Sequence, residues 1–362
     1  MILRRHLLTE WVQPTLMTLV LFTFVLLVGN LVKLADLFVN RGVSPLAILQ
    51  LFVLLLPSLM SYTVPMAVLT GTLLAFGKLS SDREIIAMRA CGVSYPFIAF
   101  PVLAAGLLAS AVLVPMNTTL VPWSHFEARR VGIDIAIRNP TAFLESGTFI
   151  KEFHPYILFV YHVDGNQMQK IRIYETDNRK PTRTIVAESG EFIPLPEQRR
   201  VLLKLRNGTA DEPDPKDASK FYKLKFETYT LNMGVGDKDP RSISMKPKDM
   251  GLNQLKQTIR ELEQKKINAS PLYVEMHRRI AMAFSPLVFA LMAFPLAITT
   301  QRAQKTVGFG MSVVIFLGYY LFLAIGQALS EKGLSSAIFA MWLGNGVFFA
   351  LGLLLFWKLC RR

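Results

Sequence analysis

The chain has 362 residues, 52% of them hydrophobic and 18% charged, and carries a formal charge of +14. So oily a balance excludes an ordinary soluble domain and gives a membrane protein, in which much of the basic excess is a topological signal and not a nucleic-acid footprint. The two cysteines, Cys91 and Cys360, imply no disulfide framework.

Apolar runs cover 11–32, 46–77, 94–122, 280–298, 307–329 and 336–357. Each has the ~20 residues that cross ~30 Å of hydrocarbon as a helix, and two are long enough to tilt or protrude. The first run is too long for a signal peptide and has no small-residue cleavage site, so it reads as a retained span. Arg4, Arg5, Lys78, Arg83, Arg89, Arg302, Lys305, Lys358, Arg361 and Arg362 fall on one side, against Lys33, Arg41 and Lys332 in the short loops opposite. The first side is therefore expected in the cytoplasm, with both termini. Pro57, Pro65, Pro115, Pro286 and Pro295 predict kinked or broken helices. No ionisable residue falls deep in the six runs, which points to an energy source outside the membrane. Gln50, Asn117, Gln327 and Asn345 are the polar exceptions, read as interhelical hydrogen bonds or, alternatively, as a site.

Between runs two and three lies FGKLSSDREIIAMRACGVSYP, 76–96. Its first part looks like a phosphate-binding loop, but the glycines are one residue too far apart and Leu79 stands where a Mg²⁺-binding hydroxyl is needed. The charged part predicts a short helix over 81–91: Ser81 and Glu84 match a capping box, Asp82 suits the positive first turn, and Gly92 can close the end. Two readings stand. The segment is a tight capped connection, or it is a coupling helix that docks on a cytoplasmic motor, with Ile85, Met88 and Ile86 as apolar anchor and Glu84 and Arg89 setting polar register.

About 150 residues separate runs three and four, too many for a loop. Segments at 147–153, 156–163, 169–174, 182–192, 200–205 and 221–231 alternate with period two, and turn chemistry stands at 164–166, 207–208 and 211–215. These predict a β-sandwich or jelly-roll. Helical spacing returns over 252–266, with Leu252, Leu255, Ile259 and Leu262 on one face. The expected fold is thus an α+β membrane protein, six transmembrane helices with a β-jelly-roll-like extracytoplasmic domain inserted between helices three and four. Its expected parts are 1–130, 131–251, 252–270 and 271–362. Lys33, Arg41, Arg129 and Arg130 sit at the outer ends of the spans and either snorkel to lipid headgroups or form a ring that grips the phosphates of an amphiphile. His125, His154 and His162 show no metal spacing, and no catalytic constellation is present.

Three pieces of sequence carry a resemblance: MILRRHLLTEW at the start, GKLSSDREIIAMRACGVS at 77–94 and HRRIAMAFSPLVFALMAFPLAI at 277–298. Together with the layout of spans and β-domain, they resemble the LptF/LptG permeases of the bacterial lipopolysaccharide exporter over essentially the whole chain. The resemblance implies a non-enzymatic inner-membrane subunit that pairs with a paralogous permease (LptG-like or LptF-like). It implies a cytoplasmic dimer of the ABC ATPase LptB, which holds ATP and Mg, so that this chain needs no cofactor. It also implies a periplasmic jelly-roll partner like LptC or LptA, and lipopolysaccharide as substrate. On that resemblance Glu84 is the acidic residue that contacts the ATPase, with Ile85, Met88 and Arg89 beside it, and Lys33 is a ligand for lipid A phosphates. Arg41, Arg129 and Arg130 match by region. The alternatives are a permease for another lipid or lipoprotein, and a membrane anchor whose β-domain binds partners without translocation.

Overall fold

A computed structural model of the chain describes residues 2–39, 43–138, 147–150, 156–164, 167–175, 183–195, 200–213, 221–234, 245–299, 305–333 and 335–361. Among them the long helices are α1 (Ile2–Val39), α2 (Pro45–Ser81), α4 (Tyr95–Pro115), α5 (Val121–Arg138), α7 (Ser270–Thr299), α8 (Lys305–Glu331) and α9 (Ala337–Arg361). A short helix α3 (Glu84–Ala90) joins α2 to α4, and α6 (Leu252–Gln264) precedes α7. A π-helical turn, Met116–Leu120, joins α4 to α5 so that they run as one span, and six spans result. The chain divides into two compact units, one of Met1–Asn30, Leu54–Phe126 and Lys246–Arg362, the other of Leu31–Val53 and Glu127–Met245.

In the first unit α7 is the central helix. Ala281, Ala283, Phe289, Ala290, Ala293 and Phe294 are all fully buried, and small residues at this spacing let neighbouring helices approach closely. Pro286 removes the N–H that would serve the Met282 carbonyl, and the Ser285 hydroxyl donates to that carbonyl instead, at 2.6 Å. At the adjacent residue Asn345 of α9 donates to the Ala281 carbonyl (2.8 Å) and accepts from the Tyr319 hydroxyl of α8 (3.0 Å). Asn345 is thus an interhelical hydrogen bond. Asn117 is one also: it accepts from Ser61 of α2 at 2.6 Å and donates to the Arg279 carbonyl of α7 at 3.3 Å. Gln327 instead donates to Glu331 one turn along its own helix, and Gln50 lines a cleft described below. Trp11 ties α1 to α2 by donating to Thr72 at 2.9 Å.

The second unit holds an antiparallel sheet in the order β1 (Phe149–Ile150), β2 (Tyr156–Asp164), β3 (Gln167–Glu175), β4 (Arg183–Leu195), β5 (Arg200–Pro213) and β6 (Phe221–Gly234). Every described strand pairs with the next in sequence, a meander without the crossover of a Greek key. One feature of the register gives it depth. The pairings on both sides of Tyr161, Lys170, Glu188, Asn207 and Glu227 keep a constant register, yet that row itself is unpaired. At the same row each strand turns two successive side chains outward, so that buried Met168 is followed by buried Ile171, and buried Leu205 by buried Ala210 only after Gly208 has taken the inward place. The parity of the pleat slips by one, which needs a residue outside the β region. In β3 and β5, Lys170 (φ 52°) and Asn207 (φ 50°) supply it.

The sheet is therefore creased and folds on itself. One apolar cluster spans both halves, with Leu158, Ile173 and Ile185 from one side of the crease and Phe192, Val201 and Leu203 from the other, all fully buried. Gly190 faces this interior beside the crease, where a Cβ would lie 2.5 Å from Ile171 Cδ1. The Asn207-Gly208 pair, expected from sequence to end a strand, is instead the crease in the middle of β5. The left-handed preference of Asn was legible, but its use in a fold line rather than a hairpin was not. Residues 165–166 and 214–215 of the other expected turns lie outside the described residues, as does His154.

Candidate functional site

The charged connection between the second and third spans is built differently from the capping box its sequence suggests. α2 runs on through Ser81, because Leu79 and Ser80 are buried in the bundle and extend its apolar face. The chain then reverses at Arg83, whose φ of 61° is left-handed, and Glu84 opens α3 without any side-chain cap. Ser81 is thus the end of one helix, not the start of the next. The C-terminus follows expectation. Gly92 at φ 86° donates to the Arg89 carbonyl (2.9 Å) and Val93 to the Met88 carbonyl (3.1 Å), the two bonds of a Schellman motif.

α3 is fastened to the bundle along one side. Ile85 is only 2% exposed and belongs to the same apolar cluster as Leu7, Leu79 and Phe76, with half-buried Met88 packed against it. The outward face carries Arg83, Ile86, Ala87 and Ala90, and Ile86 is 54% exposed. The outward apolar anchor is thus Ile86, one residue from the buried Ile85; successive helical residues point about 100° apart, which decides between them. Polar contacts fix the surroundings: Glu84 Oε2 lies 3.1 Å from His6 Nε2 of α1, Lys78 pairs with Glu10 at 2.8 Å, and Arg89 stacks 4.4 Å from the Tyr95 ring centroid.

The four basic residues at the outer ends do not form one described cluster. Lys33 lies on α1 with its side chain outside the described residues, and Arg41 lies outside them altogether. Arg129 and Arg130 are both on α5. Exposed Arg130 stands 3.8 Å from Glu127 and lines a cleft of about 620 Å³ in the second unit, together with Gln50 and Ser44 of the α2 start and with Asp134.

Sequence reasoning missed a buried charge cluster. The fourth span, expected at 280–298, belongs to a helix that starts at Ser270, and the added turns bring Glu275, Arg278 and Arg279 with them. Glu275 is 8% and Arg279 4% exposed. Arg279 donates to Glu275 Oε1 (2.9 Å) and to the carbonyls of Met250 (2.6 Å), Pro247 (2.9 Å) and Lys248 (3.0 Å). Arg278 makes a bidentate pair with the same Glu275 carboxylate. One helix face thus holds a Glu with Arg at i+3 and i+4, while the second Arg caps the turn that leads into α6. The spacing Glu275-x-x-Arg278-Arg279 was readable, but a hydropathy window stops short of it.

The sequence compared with known proteins now decides the family. A model described as lipopolysaccharide export system permease LptF/LptG matches residues 5–358. The chain belongs to the LptF/LptG permease family. The lipopolysaccharide export system permease protein LptF of Escherichia coli strain K12 is 24% identical over 98% of this chain and 94% of its own, and LptF of Shigella flexneri matches to the same extent. An uncharacterised protein of Rickettsia prowazekii, RP871, is 24% identical over half of each chain. As an LptF/LptG permease with six apolar helices, the chain is a multi-pass inner-membrane protein and a transport subunit, not an enzyme, of a lipopolysaccharide export system.

Proposed function

We propose that this LptF/LptG permease is the membrane-embedded subunit through which an ATP-driven exporter extracts lipopolysaccharide from the inner membrane and passes it to a periplasmic jelly-roll bridge. ATP and Mg are held by a cytoplasmic LptB-like dimer, a paralogous LptG-like or LptF-like permease completes the membrane part, and an LptC-like or LptA-like protein receives the lipid at the β-domain. Both termini are cytoplasmic and the creased sheet is periplasmic, in keeping with the distribution of Lys and Arg. Lys33, Arg41, Arg129 and Arg130 engage the phosphates of the lipid.

The observation that carries the reading is the mounting of α3. A helix that docks on a motor has to move as one piece with its spans, and a lone exposed turn would absorb the motion instead. Ile85 and Met88 pack α3 onto the bundle and the Schellman motif closes its end, while Glu84, Ile86 and Arg89 remain at the surface. Glu84 and Arg89 give polar register at the rim of the docking groove, and Ile86 the apolar anchor in its centre. Co-purification of the detergent-solubilised chain with the co-expressed exporter subunits tests this. Wild type is expected to retain the ATPase, Glu84→Arg and Ile86→Asp to lose it while keeping the paralogous permease. Retention of the ATPase by both variants would sink the coupling role of α3.

A further inference from the structure

The crease in the β-domain opens a second site on the outer face of the sheet, away from the apolar interior. A cleft of about 510 Å³ follows the fold line, walled by Tyr161, Lys170, Arg172, Glu188, Asn207 and Thr209. That volume suits a ligand of a few rings. Its chemistry is mixed in an informative way. Lys170 and Arg172 form no salt bridge among the described residues, and Arg172 stands 5.8 Å over the Tyr161 ring. Asn207 Nδ2 lies 3.5 Å from Glu188 Oε2, a long contact that leaves both groups capacity for further hydrogen bonds.

From Tyr161 an aromatic strip leads along the same face. Tyr161 meets Phe159 at 4.9 Å between centroids, and Phe159 meets Phe149 at 4.8 Å. Phe149 is 59% and Tyr161 47% exposed, although the domain has an apolar interior that could have taken them. Lys170 holds a left-handed backbone conformation, uncommon for a residue with a Cβ and a long side chain. That conformation turns it outward beside Gln169 and into the cleft.

Each alternative ligand leaves part of this set unused. An alkyl chain has no call on two cations, an amide and a carboxylate. A free phosphate has none on the rings. A sugar bearing acidic groups uses all of it: the C–H face of a pyranose packs on the electron-rich face of an aromatic ring, hydroxyls pair with Glu188, Asn207 and Thr209, and carboxylate or phosphate substituents meet Lys170 and Arg172. We propose that the outer cleft along the crease, with Tyr161 as its stacking platform, binds an acidic saccharide. Resting on the export reading above, that saccharide is the phosphorylated, acid-sugar part of the lipopolysaccharide, held outside the sheet.

The test is binding of chemically deacylated lipopolysaccharide oligosaccharide, which has no acyl chains, to the full-length chain in detergent. Tyr161→Ala, Tyr161→Phe and Arg172→Ala are compared with wild type, with neutral maltoheptaose and inorganic phosphate as control ligands. Saturable oligosaccharide binding is expected, weakened about tenfold by Tyr161→Ala and by Arg172→Ala, preserved by Tyr161→Phe, and lowered by salt. Unchanged melting temperatures would show that the variants fold, and retention of wild-type affinity by a folded Tyr161→Ala overturns the proposal. So does inorganic phosphate competing as well as the oligosaccharide, which marks a bare anion site, or maltoheptaose binding equally well. Intact lipopolysaccharide serves as the separating arm. If it binds and the oligosaccharide does not, the cleft assignment fails and the export reading stands; if neither binds, both fail.

Discussion

Arg279 gives the most quantitative prediction about the membrane unit. Arg279→Met keeps the aliphatic stem and its packing but removes a guanidinium that serves Glu275 and three backbone carbonyls. Hydrogen bonds to charged groups contribute about 1.5–3 kcal/mol each, and the carbonyls of 247, 248 and 250 lose a common donor together. The Glu275 carboxylate is not orphaned, because Arg278 still pairs with it. The expected loss is therefore about 3 kcal/mol, the lower end of the range for breaking a buried ion pair. Glu275→Gln leaves two close guanidinium groups without a counter-charge and is expected to cost about 3–5 kcal/mol. Arg278→Met removes only one of the carboxylate's two partners and is expected to cost about 1–2 kcal/mol. Equilibrium unfolding in mixed detergent and dodecyl sulfate micelles measures all three, and the Glu275→Gln/Arg279→Met double variant completes a cycle. The cycle should show coupling of at least about 1 kcal/mol. Additive single effects, or an Arg279→Met variant within about 0.5 kcal/mol of wild type, would refute the reasoning that the cluster works as a unit.

Two further predictions concern packing. Gly190→Val places a branched side chain against Ile171 and Leu205 in the creased interior, and overpacking of this kind is expected to cost about 1–3 kcal/mol, seen as protease sensitivity confined to the β-domain. Asn345→Leu leaves the Tyr319 hydroxyl without its nearer partner in a buried site. It is expected to cost about 1–3 kcal/mol in the same unfolding assay, with Tyr319→Phe in the Asn345→Leu background restoring part of it.

The parts of this fold that were legible are those set by one-dimensional periods. Six apolar runs gave six spans, and period-two segments gave an antiparallel sheet inserted between the third and fourth. Features that depend on how elements lean on one another were not. Ser81-x-x-Glu84 satisfies the sequence rule for a capping box, yet burial of Leu79 and Ser80 carries α2 past it. Ile85 and Ile86 are chemically alike, and only the packing of α3 shows which of them is free. The crease left a trace, since each long strand skips one place in its alternation, but a single skip looks like noise until neighbouring strands are seen to skip at the same row. The Asn207-Gly208 pair predicts a turn, and the left-handed angle of Asn207 serves instead a crease inside β5, because both uses accept the same backbone angle. Glu275, Arg278 and Arg279 were visible as charges before an apolar run, and their burial follows from tertiary contacts with the 247–250 turn that no local pattern encodes.

The central claim is that motor-driven motion of α3 moves lipid. Its most direct test is ATP-dependent release of lipopolysaccharide from proteoliposomes that contain the chain with the proposed ATPase, paralogous permease and periplasmic partner, comparing wild type with Glu84→Arg. Release by wild type only when ATP is present, with Glu84→Arg still loading lipopolysaccharide but failing to release it, is the predicted result. Equal release by Glu84→Arg, or release by wild type without ATP, would contradict it.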